Sequence, residues 1–218
     1  MRSDCVNTPG IKLASFDLDD TLISDIQSVM LLCILNGKEK EQLAIQEKEA
    51  SGELDYITAD YHRAELFKGL SEDRIIESYD EIIRPLKNIK NVVDALHENG
   101  ILCIMITVGP KQVAKVVCDI WGFDEYYGGN YEVKNGKFTG KILEYLKAED
   151  KVDCLKDFCG RNNIAPAECI AIGDGLTDVP LFEHCGKSIA INASPEVQKK
   201  ATHAVNTLDL SDILRYII

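Results

Sequence analysis

The stretch that decides the fold is Phe16-Asp17-Leu18-Asp19-Asp20-Thr21-Leu22. Residues 11–16, which lead into it, end in alternating apolar side chains, a pattern that predicts a short buried strand. Asp17 and Asp19 then leave the carboxyl end of that strand. Open α/β sheets bind ligands at this edge, and two carboxylates there can bind a hard cation or carry out nucleophilic and acid–base chemistry. A strand end with a solvated acidic turn is the alternative interpretation.

Composition limits the classes of partner. The chain has 218 residues, enough for one domain or for one domain with a small insertion. Its formal net charge is −12, which argues against binding to nucleic acid or to anionic lipid. No apolar run reaches the ~18 residues that a membrane span needs. We therefore predict neither a nucleic-acid partner nor a membrane association.

The eight cysteines are scattered, none forms a Cys-x-x-Cys pair, and several lie inside apolar runs. This distribution predicts reduced, mostly buried thiols in a cytoplasmic protein. The four histidines are also dispersed, so a zinc site is not predicted.

Periodicity divides the chain into a helical block at residues 24–83 and an alternation of strands and helices after Pro85. The predicted strands are 11–16, 101–107, 169–172 and 188–191, and the predicted helices are 25–36, 38–50, 54–66, one that begins at Ser71, 90–99, 111–121, 148–163, 178–184 and 209–217. Asn135-Gly136 predicts a tight β-hairpin.

Strands that alternate with helices predict an α/β fold with a doubly wound, Rossmann-like parallel sheet. The helical block interrupts this pattern just after the first strand. We predict a core domain of residues 1–22 and 85–218 and a small helical cap domain of residues 23–84. A lobe at this position can close over a ligand and exclude water.

Polar residues follow the predicted strands at one edge of the sheet, and a lysine near the start of a predicted helix can reach the same crevice. The candidates are Asp17, Asp19 and Thr21; Thr107 and Gly109; Lys151; and Asp174 and Asp178.

Each later candidate also has a structural interpretation. Asp174 and Asp178 fit a turn and a helix cap, and Thr107 fits a cap for the helix after Pro110. Lys151 fits a surface lysine, and Gly109 fits a turn that needs no ligand.

Taken together, these motifs resemble the haloacid dehalogenase superfamily of aspartate-nucleophile phosphohydrolases. The helical insertion, the Asn-Gly hairpin and the pattern Gly-Asp-Gly-x-x-Asp-x-x-x-Phe at residues 173–182 are most similar to its phosphoserine phosphatase-like branch. The resemblance runs from about residue 11 to residue 217. The first motif, around Asp17, and the fourth motif, around Asp174, are specific. The second and third motifs rest on a single Thr and a single Lys, and each of these is weak alone.

The resemblance implies roles for the candidates. Asp17 would attack phosphorus, and Asp19 would protonate the leaving oxygen and then activate water. Mg²⁺ would be bound by Asp17, by the backbone carbonyl of Asp19 and by Asp174. Thr107 and Lys151 would hold the phosphoryl oxygens, and Asp178 would orient the metal ligands. Gly109 is a further phosphate-binding candidate, and Thr21 is a supporting residue of the first motif.

Substrate specificity is expected to differ from that of phosphoserine phosphatases. Their ammonium-binding Glu corresponds to Ile26 in an ungapped alignment, with Asp25 beside it. Their carboxylate-binding Arg corresponds to Tyr61, with Arg63 two residues further on. The usual Ser-Gly-Gly of the second motif is Thr107-Val108-Gly109. An apolar Ile26 and an aromatic Tyr61 favour a substrate less zwitterionic than phosphoserine.

The prediction is a Mg²⁺-dependent phosphomonoester hydrolase that acts on a small phosphorylated metabolite, as a monomer or homodimer. A phosphotransferase or mutase of the same superfamily is one alternative. A receiver-like signalling module is another, although receivers lack an inserted lobe and the Gly-Asp-Gly motif. The last is a catalytically silent phosphate-binding protein.

Overall fold

The computed structural model describes residues 10–77 and 79–218. Its strands are β1 (Leu13–Phe16), β2 (Ile23–Ser24), β3 (Arg84–Pro85), β4 (Leu102–Pro110), β5 (Glu125–Lys134), β6 (Lys137–Glu144), β7 (Cys169–Gly173), β8 (Lys187–Ile191) and β9 (His203–Val205). Its α-helices are α1 (Ser28–Leu35), α2 (Glu39–Ala50), α3 (Tyr56–Leu66), α4 (Arg74–Glu77), α5 (Tyr79–Ile82), α6 (Ile89–Glu98), α7 (Lys111–Trp121), α8 (Asp150–Asn162), α9 (Val179–His184) and α10 (Pro195–Gln198). Short 3₁₀ helices cover Pro166–Glu168, Leu176–Asp178 and Leu210–Tyr216.

The main sheet has the strand order β6-β5-β4-β1-β7-β8-β9. β1 lies between β4 and β7 and runs parallel to both. Pairs β4–β5, β7–β8 and β8–β9 are also parallel, whereas β6 runs antiparallel to β5 at the edge. Because the strand order reverses direction at β1, the crevice for ligands opens beside the end of that strand.

Helices cover both faces of this sheet. One apolar cluster packs α6 and α7 against it, with Val93 and Val117 among its buried members. A second cluster packs α8 and α9 against the opposite face through Leu155, Phe158 and Leu181. The predicted doubly wound α/β fold is therefore confirmed. In the described ranges, no helix is long and apolar enough to cross a membrane.

The helical block α1–α5 leaves the core through β2 and returns through β3. These two short strands pair antiparallel, with Ile23 opposite Pro85. Leu31 and Leu32 of α1 are fully buried in the same apolar cluster as the sheet. Phe67, just after α3, packs its ring against Tyr131 and Phe138 of the hairpin. The helical block therefore packs against the core through a continuous apolar contact.

The Asn135-Gly136 hairpin is confirmed between β5 and β6. Asn135 has φ of 53° and Gly136 has φ of 72°, the left-handed pair that a two-residue hairpin turn requires. The hairpin also binds the helical block, because the backbone N–H of Gly69 donates to the carbonyl of Phe138 and that of Glu72 donates to Gly136.

Several predicted boundaries are wrong. The first helix begins at Ser28 and not at Asp25, because Asp25 has φ of 72° and Gln27 is extended. The helix expected from Ser71 begins at Arg74, since Ser71 instead forms a β-bridge with Lys137. The last predicted helix is a 3₁₀ helix. Strand β9 was not predicted, because three residues carry too little pattern.

Candidate active site

Three segments meet beside the carboxyl end of β1. Asp17 and Asp19 follow β1, Thr107 and Gly109 lie near the end of β4, and Asp174 follows β7. All five residues line one cavity of about 330 Å³. They meet because parallel neighbours end on the same edge of a sheet. Candidates from three separate motifs therefore share one site.

Lys151 reaches this site from α8 and is fully buried. Its Nζ donates to Oδ1 of Asp17 at 2.8 Å and to Oδ1 of Asp178 at 2.7 Å. The interpretation of Lys151 as a surface lysine is therefore wrong. Burial opposes the charged ammonium, but the carboxylates of Asp17 and Asp178 outweigh burial and raise the pKa of Lys151 above its ordinary value.

The loop after β7 is built around Asp178. Its Oδ2 accepts the backbone N–H groups of Asp174 at 3.1 Å and Gly175 at 3.0 Å, while Oδ1 accepts from Lys151. A Cβ on Gly173 would lie 2.3 Å from the Asp178 carboxyl group, so only glycine fits there. Asp174 in turn accepts the hydroxyl of Thr21 at 2.6 Å. Asp178 thus does more than end a turn: it joins this loop to the cation of Lys151.

Burial raises the pKa of the carboxyl groups that line the cavity. It raises the pKa of Asp19 to about 6, against the lowering effect of hydrogen bonds from Ser28. Burial raises the pKa of Asp174 to about 7, with Thr21 lowering it and the charge of Asp178 raising it. Burial and Asp178 also raise the pKa of Asp17 well above its ordinary value, although Lys151 lowers it. The site therefore favours a further positive charge.

The donor set fits Mg²⁺. Carboxylate oxygens of Asp17, Asp174 and Asp178 lie within 4.8 Å of one another, and Mg²⁺ prefers such hard oxygen ligands. Both oxygens of Asp178 already accept hydrogen bonds from the protein. Asp178 therefore suits the predicted supporting position better than that of a direct ligand. The part predicted for the backbone carbonyl of Asp19 stays a prediction.

Thr107 and Gly109 lie in the irregular last part of β4 and line the cavity. Oγ1 of Thr107 accepts the backbone N–H of Gly109 at 3.0 Å, and α7 has no side-chain cap at its N-terminus. The interpretation of Thr107 as a helix cap is therefore wrong. A Cβ on Gly109 would lie 2.6 Å from Oγ of Ser28 and 3.0 Å from Oδ2 of Asp19. Glycine at this position leaves room for both side chains.

We expect Gly109→Ala to lower kcat for the phosphomonoester hydrolysis that the resemblance implies by about tenfold or more, because the new methyl group displaces Asp19, and small misplacements of reacting groups are costly. Steady-state phosphate release measures the effect. Gly160→Ala is the matched control: Gly160 is exposed on α8 with nothing within 4 Å of an added Cβ. Equal activity of the two variants would contradict the prediction.

The four specificity candidates separate in the structure. Arg63 is buried and lines the cavity. Tyr61, two residues earlier on α3, is 48% exposed and stacks on Tyr145 on another side of the helix. Asp25 is exposed, and Ile26 packs against the apolar core. Of these four, the structure brings Arg63 alone into the cavity lining.

All the nitrogens of the Arg63 guanidinium contact acceptors in the described structure. Nε donates to Gln42 at 3.3 Å, Nη1 donates to Asp60 at 2.8 Å, and Nη2 donates to Glu49. Tyr145 donates its hydroxyl to the other oxygen of Asp60 at 2.6 Å. Gln42, Glu49 and Asp60 also line the cavity, so its wall on the helical block is charged.

Sequence reasoning missed Gln42, Glu49 and Asp60 as functional candidates. A signal existed, because Gln42 and Glu49 are seven residues apart on α2 and Asp60 is three residues before Arg63, spacings that place side chains on one helical face. Ser28, which contacts Asp19, had no comparable signal. Its position depends on the irregular turn before α1.

An acidic cavity at the edge of a doubly wound sheet places this protein among the α/β proteins that bind ligands at that edge. Comparison with known proteins narrows the class, since a family model of haloacid dehalogenase-like hydrolases matches residues 14–183. The chain belongs to this family, and the predicted resemblance is confirmed.

Similar proteins extend over almost the whole chain. A phosphoserine phosphatase of Polaromonas sp. is 30% identical, and the match covers 97% of this chain and 94% of the relative. One of Streptococcus thermophilus is 31% identical, with 94% and 95% covered. A solved structure described as a phospho-aspartyl intermediate analogue of phosphoserine phosphatase is 26% identical with a TM-score of 0.80, covering 96% of this chain and all of that one.

Proposed function

We propose that this phosphatase hydrolyses small phosphomonoesters through a phosphorylated Asp17. The observation that carries the proposal is the buried ion pair between Lys151 and Asp17, beside a cavity that Asp17 lines together with Asp19 and Asp174. A lysine held at 2.8 Å from the nucleophile can also meet the oxygens of a phosphoryl group placed against it.

Two displacements at phosphorus make up the reaction. In the first, a carboxylate oxygen of Asp17 bonds to phosphorus while the bond from phosphorus to the organic oxygen breaks, and Asp19 gives that oxygen a proton. In the second, Asp19 takes a proton from water as the water oxygen bonds to phosphorus. The acyl phosphate then breaks, which restores Asp17 and releases inorganic phosphate.

Other residues of the chain hold the transferring group. Lys151, Thr107 and the backbone N–H groups of the loops would donate to its oxygens, while Asp178 keeps Lys151 in place. Mg²⁺, held by Asp17 and Asp174, would supply charge neutralisation at the same oxygens. Phosphoryl transfer depends mostly on such positioning and charge compensation.

We propose that residues 23–84 act as the cap predicted from the sequence. Their helices α2 and α3 supply Gln42, Glu49, Asp60 and Arg63 to one wall of the cavity, and the sheet loops supply the opposite wall. A cap at this position would surround the organic part of the substrate. The cytoplasmic location and the monomeric or dimeric state stay predictions.

The charged wall bears on the choice of substrate. Ile26 and Tyr61, on which the prediction of a less zwitterionic substrate rests, do not line the cavity. Glu49 and Arg63 do, and they provide a carboxylate and a guanidinium for a substrate that carries opposite charges. Because similar enzymes are named phosphoserine phosphatases, we propose phosphoserine as the first compound to test.

The decisive experiment measures phosphate release from a panel of phosphomonoesters with and without Mg²⁺. The panel contains phosphoserine, phosphoethanolamine, phosphoglycolate and glycerol phosphate, which differ in whether they carry an amine, a carboxylate, both or neither. We expect Mg²⁺-dependent phosphate release that is fastest with a compound that carries an amine, a carboxylate or both. Mg²⁺ should also raise the melting temperature without substrate, because a ligand that binds only the folded state stabilises it. No release from any compound would contradict the proposal.

We expect Glu49→Gln to lower kcat/KM for amine-bearing phosphomonoesters by about tenfold, while glycerol phosphate changes little. The reason is the loss of a charge-assisted contact worth about 1.5–3 kcal/mol. The measured quantity is the ratio of kcat/KM between phosphoethanolamine and glycerol phosphate. Glu47→Gln, on an exposed position of the same helix, is the control. An unchanged ratio in the Glu49 variant would show that Glu49 does not select the amine.

A further inference from the structure

Ser28 contacts the carboxylate of Asp19 at both oxygens. Its backbone N–H donates to Oδ1 at 2.6 Å, and its hydroxyl donates to Oδ2 at 2.5 Å. Ser28 is the first residue of α1 and is fully buried. Asp19 is therefore held from the helical block, although it belongs to the loop after β1.

Packing fixes the position of Ser28. Leu31 and Leu32 on the same helix are fully buried in the main apolar cluster. On the opposite side, Gly109 approaches so closely that an added Cβ would lie 2.6 Å from Oγ of Ser28. The hydroxyl is thus confined between α1 and the end of β4, and it has few alternative positions.

We propose that Ser28 is a positioning residue that aims the carboxyl group of Asp19 at the leaving oxygen and then at the attacking water. This inference rests on the proposed function, in which Asp19 loses a proton as the bond from phosphorus to the organic oxygen breaks and regains one from water. Ser28 itself exchanges no proton with the substrate.

The two contacts differ in what they can do. A backbone N–H only donates, so it holds Oδ1 as an acceptor throughout the reaction. A hydroxyl can donate to Oδ2 whether Asp19 is ionised or protonated, because a protonated carboxyl group keeps acceptor capacity, and this leaves the proton of Asp19 free to face the leaving oxygen. The pair therefore keeps one orientation of Asp19 through both displacements.

The test compares Ser28→Ala with the wild type on two substrates. One has a poor alkoxide leaving group, such as phosphoethanolamine or the best alkyl ester in the panel, and the other is p-nitrophenyl phosphate, whose phenolate leaves without much help from an acid. Rapid-quench measurement isolates the first displacement. We expect its rate to fall roughly tenfold to a hundredfold with the alkyl ester and by less than threefold with p-nitrophenyl phosphate, because general acids matter most for poor leaving groups.

The ratio of the two rates separates positioning from damage to the fold, since partial unfolding lowers both rates equally. Ser24→Ala is the matched control, because its hydroxyl contacts only the backbone carbonyl of Arg84 in the described structure. Equal losses on both substrates, or no loss, would overturn the role of Ser28 while leaving the proposed function intact. Absence of release by the wild type from both substrates would overturn the proposed function and this inference with it.

Discussion

Replacement of Asp17 by Asn is expected to abolish phosphate release, with activity at least ~10³-fold below that of the wild type. The amide keeps the size of the side chain but lacks the charge and the nucleophilic oxygen. The acyl phosphate on residue 17 cannot form, so no later step can rescue turnover. Phosphate release from the best substrate measures the loss, and acid-quenched protein incubated with ³²P-labelled substrate shows whether label stays on the chain.

Asp94→Asn is the matched control, because Asp94 is exposed on α6, pairs with Lys90 and does not line the cavity. It should retain full activity, and after acid quenching it should carry the same amount of ³²P label as the wild type. Persistent turnover in the Asp17 variant would assign the nucleophile to another group and remove the basis of the proposed mechanism.

Lys151→Met is expected to have the largest effect on stability. Its ammonium is fully buried between Asp17 and Asp178, and its removal leaves two buried carboxylates without their cation. Breaking a buried ion pair on one side costs about 3–5 kcal/mol, so the free energy of unfolding should fall by about that amount. Activity should fall by roughly a hundredfold or more, since one cation at the phosphoryl group is lost. Urea denaturation and phosphate release measure the two effects.

Lys156→Met provides the comparison on the same helix. Lys156 is exposed and pairs with Asp153, a surface pair that contributes about 0–1 kcal/mol. Its variant should unfold at nearly the urea concentration of the wild type. If the Lys151 variant did the same, the buried ion pair would not hold the site together. Added Mg²⁺ should recover part of the stability lost by the Lys151 variant, because a cation then offsets the same carboxylates.

The sequence predicts the central sheet and its edge well because these depend on strong local patterns. Buried strands, the Asn135-Gly136 turn and the loop at residues 173–178 each carry a signal within a few residues. Topology then brings the candidates together, since parallel strands flanking β1 must end on one edge. Asp17, Thr107 and Asp174 can therefore be placed in one site from the sequence alone.

The contacts made by the helical block could not be predicted in the same way. Which of Tyr61 and Arg63 faces the cavity depends on the rotation of α3, and this is set by packing of Phe67 against the hairpin. The contact between Ser28 and Asp19 depends on the positive φ of Asp25, a backbone feature with no periodic signature. The rotation of α3 and the contact between Ser28 and Asp19 are both set by tertiary structure, so local sequence patterns do not predict them.

The hydrogen bonds of Arg63 have an evolutionary consequence. The same guanidinium joins α2 to α3 and, through Asp60, reaches Tyr145 beyond the hairpin. On the proposed role of Arg63 in the cavity wall, a mutation there would change substrate preference and weaken the framework in a single event. Glu49 has one side-chain contact to that framework in the described structure, so its replacement removes one of the three hydrogen bonds of the guanidinium and leaves the other two. Divergence in substrate choice should therefore begin at Glu49, with Arg63 retained as the constrained partner.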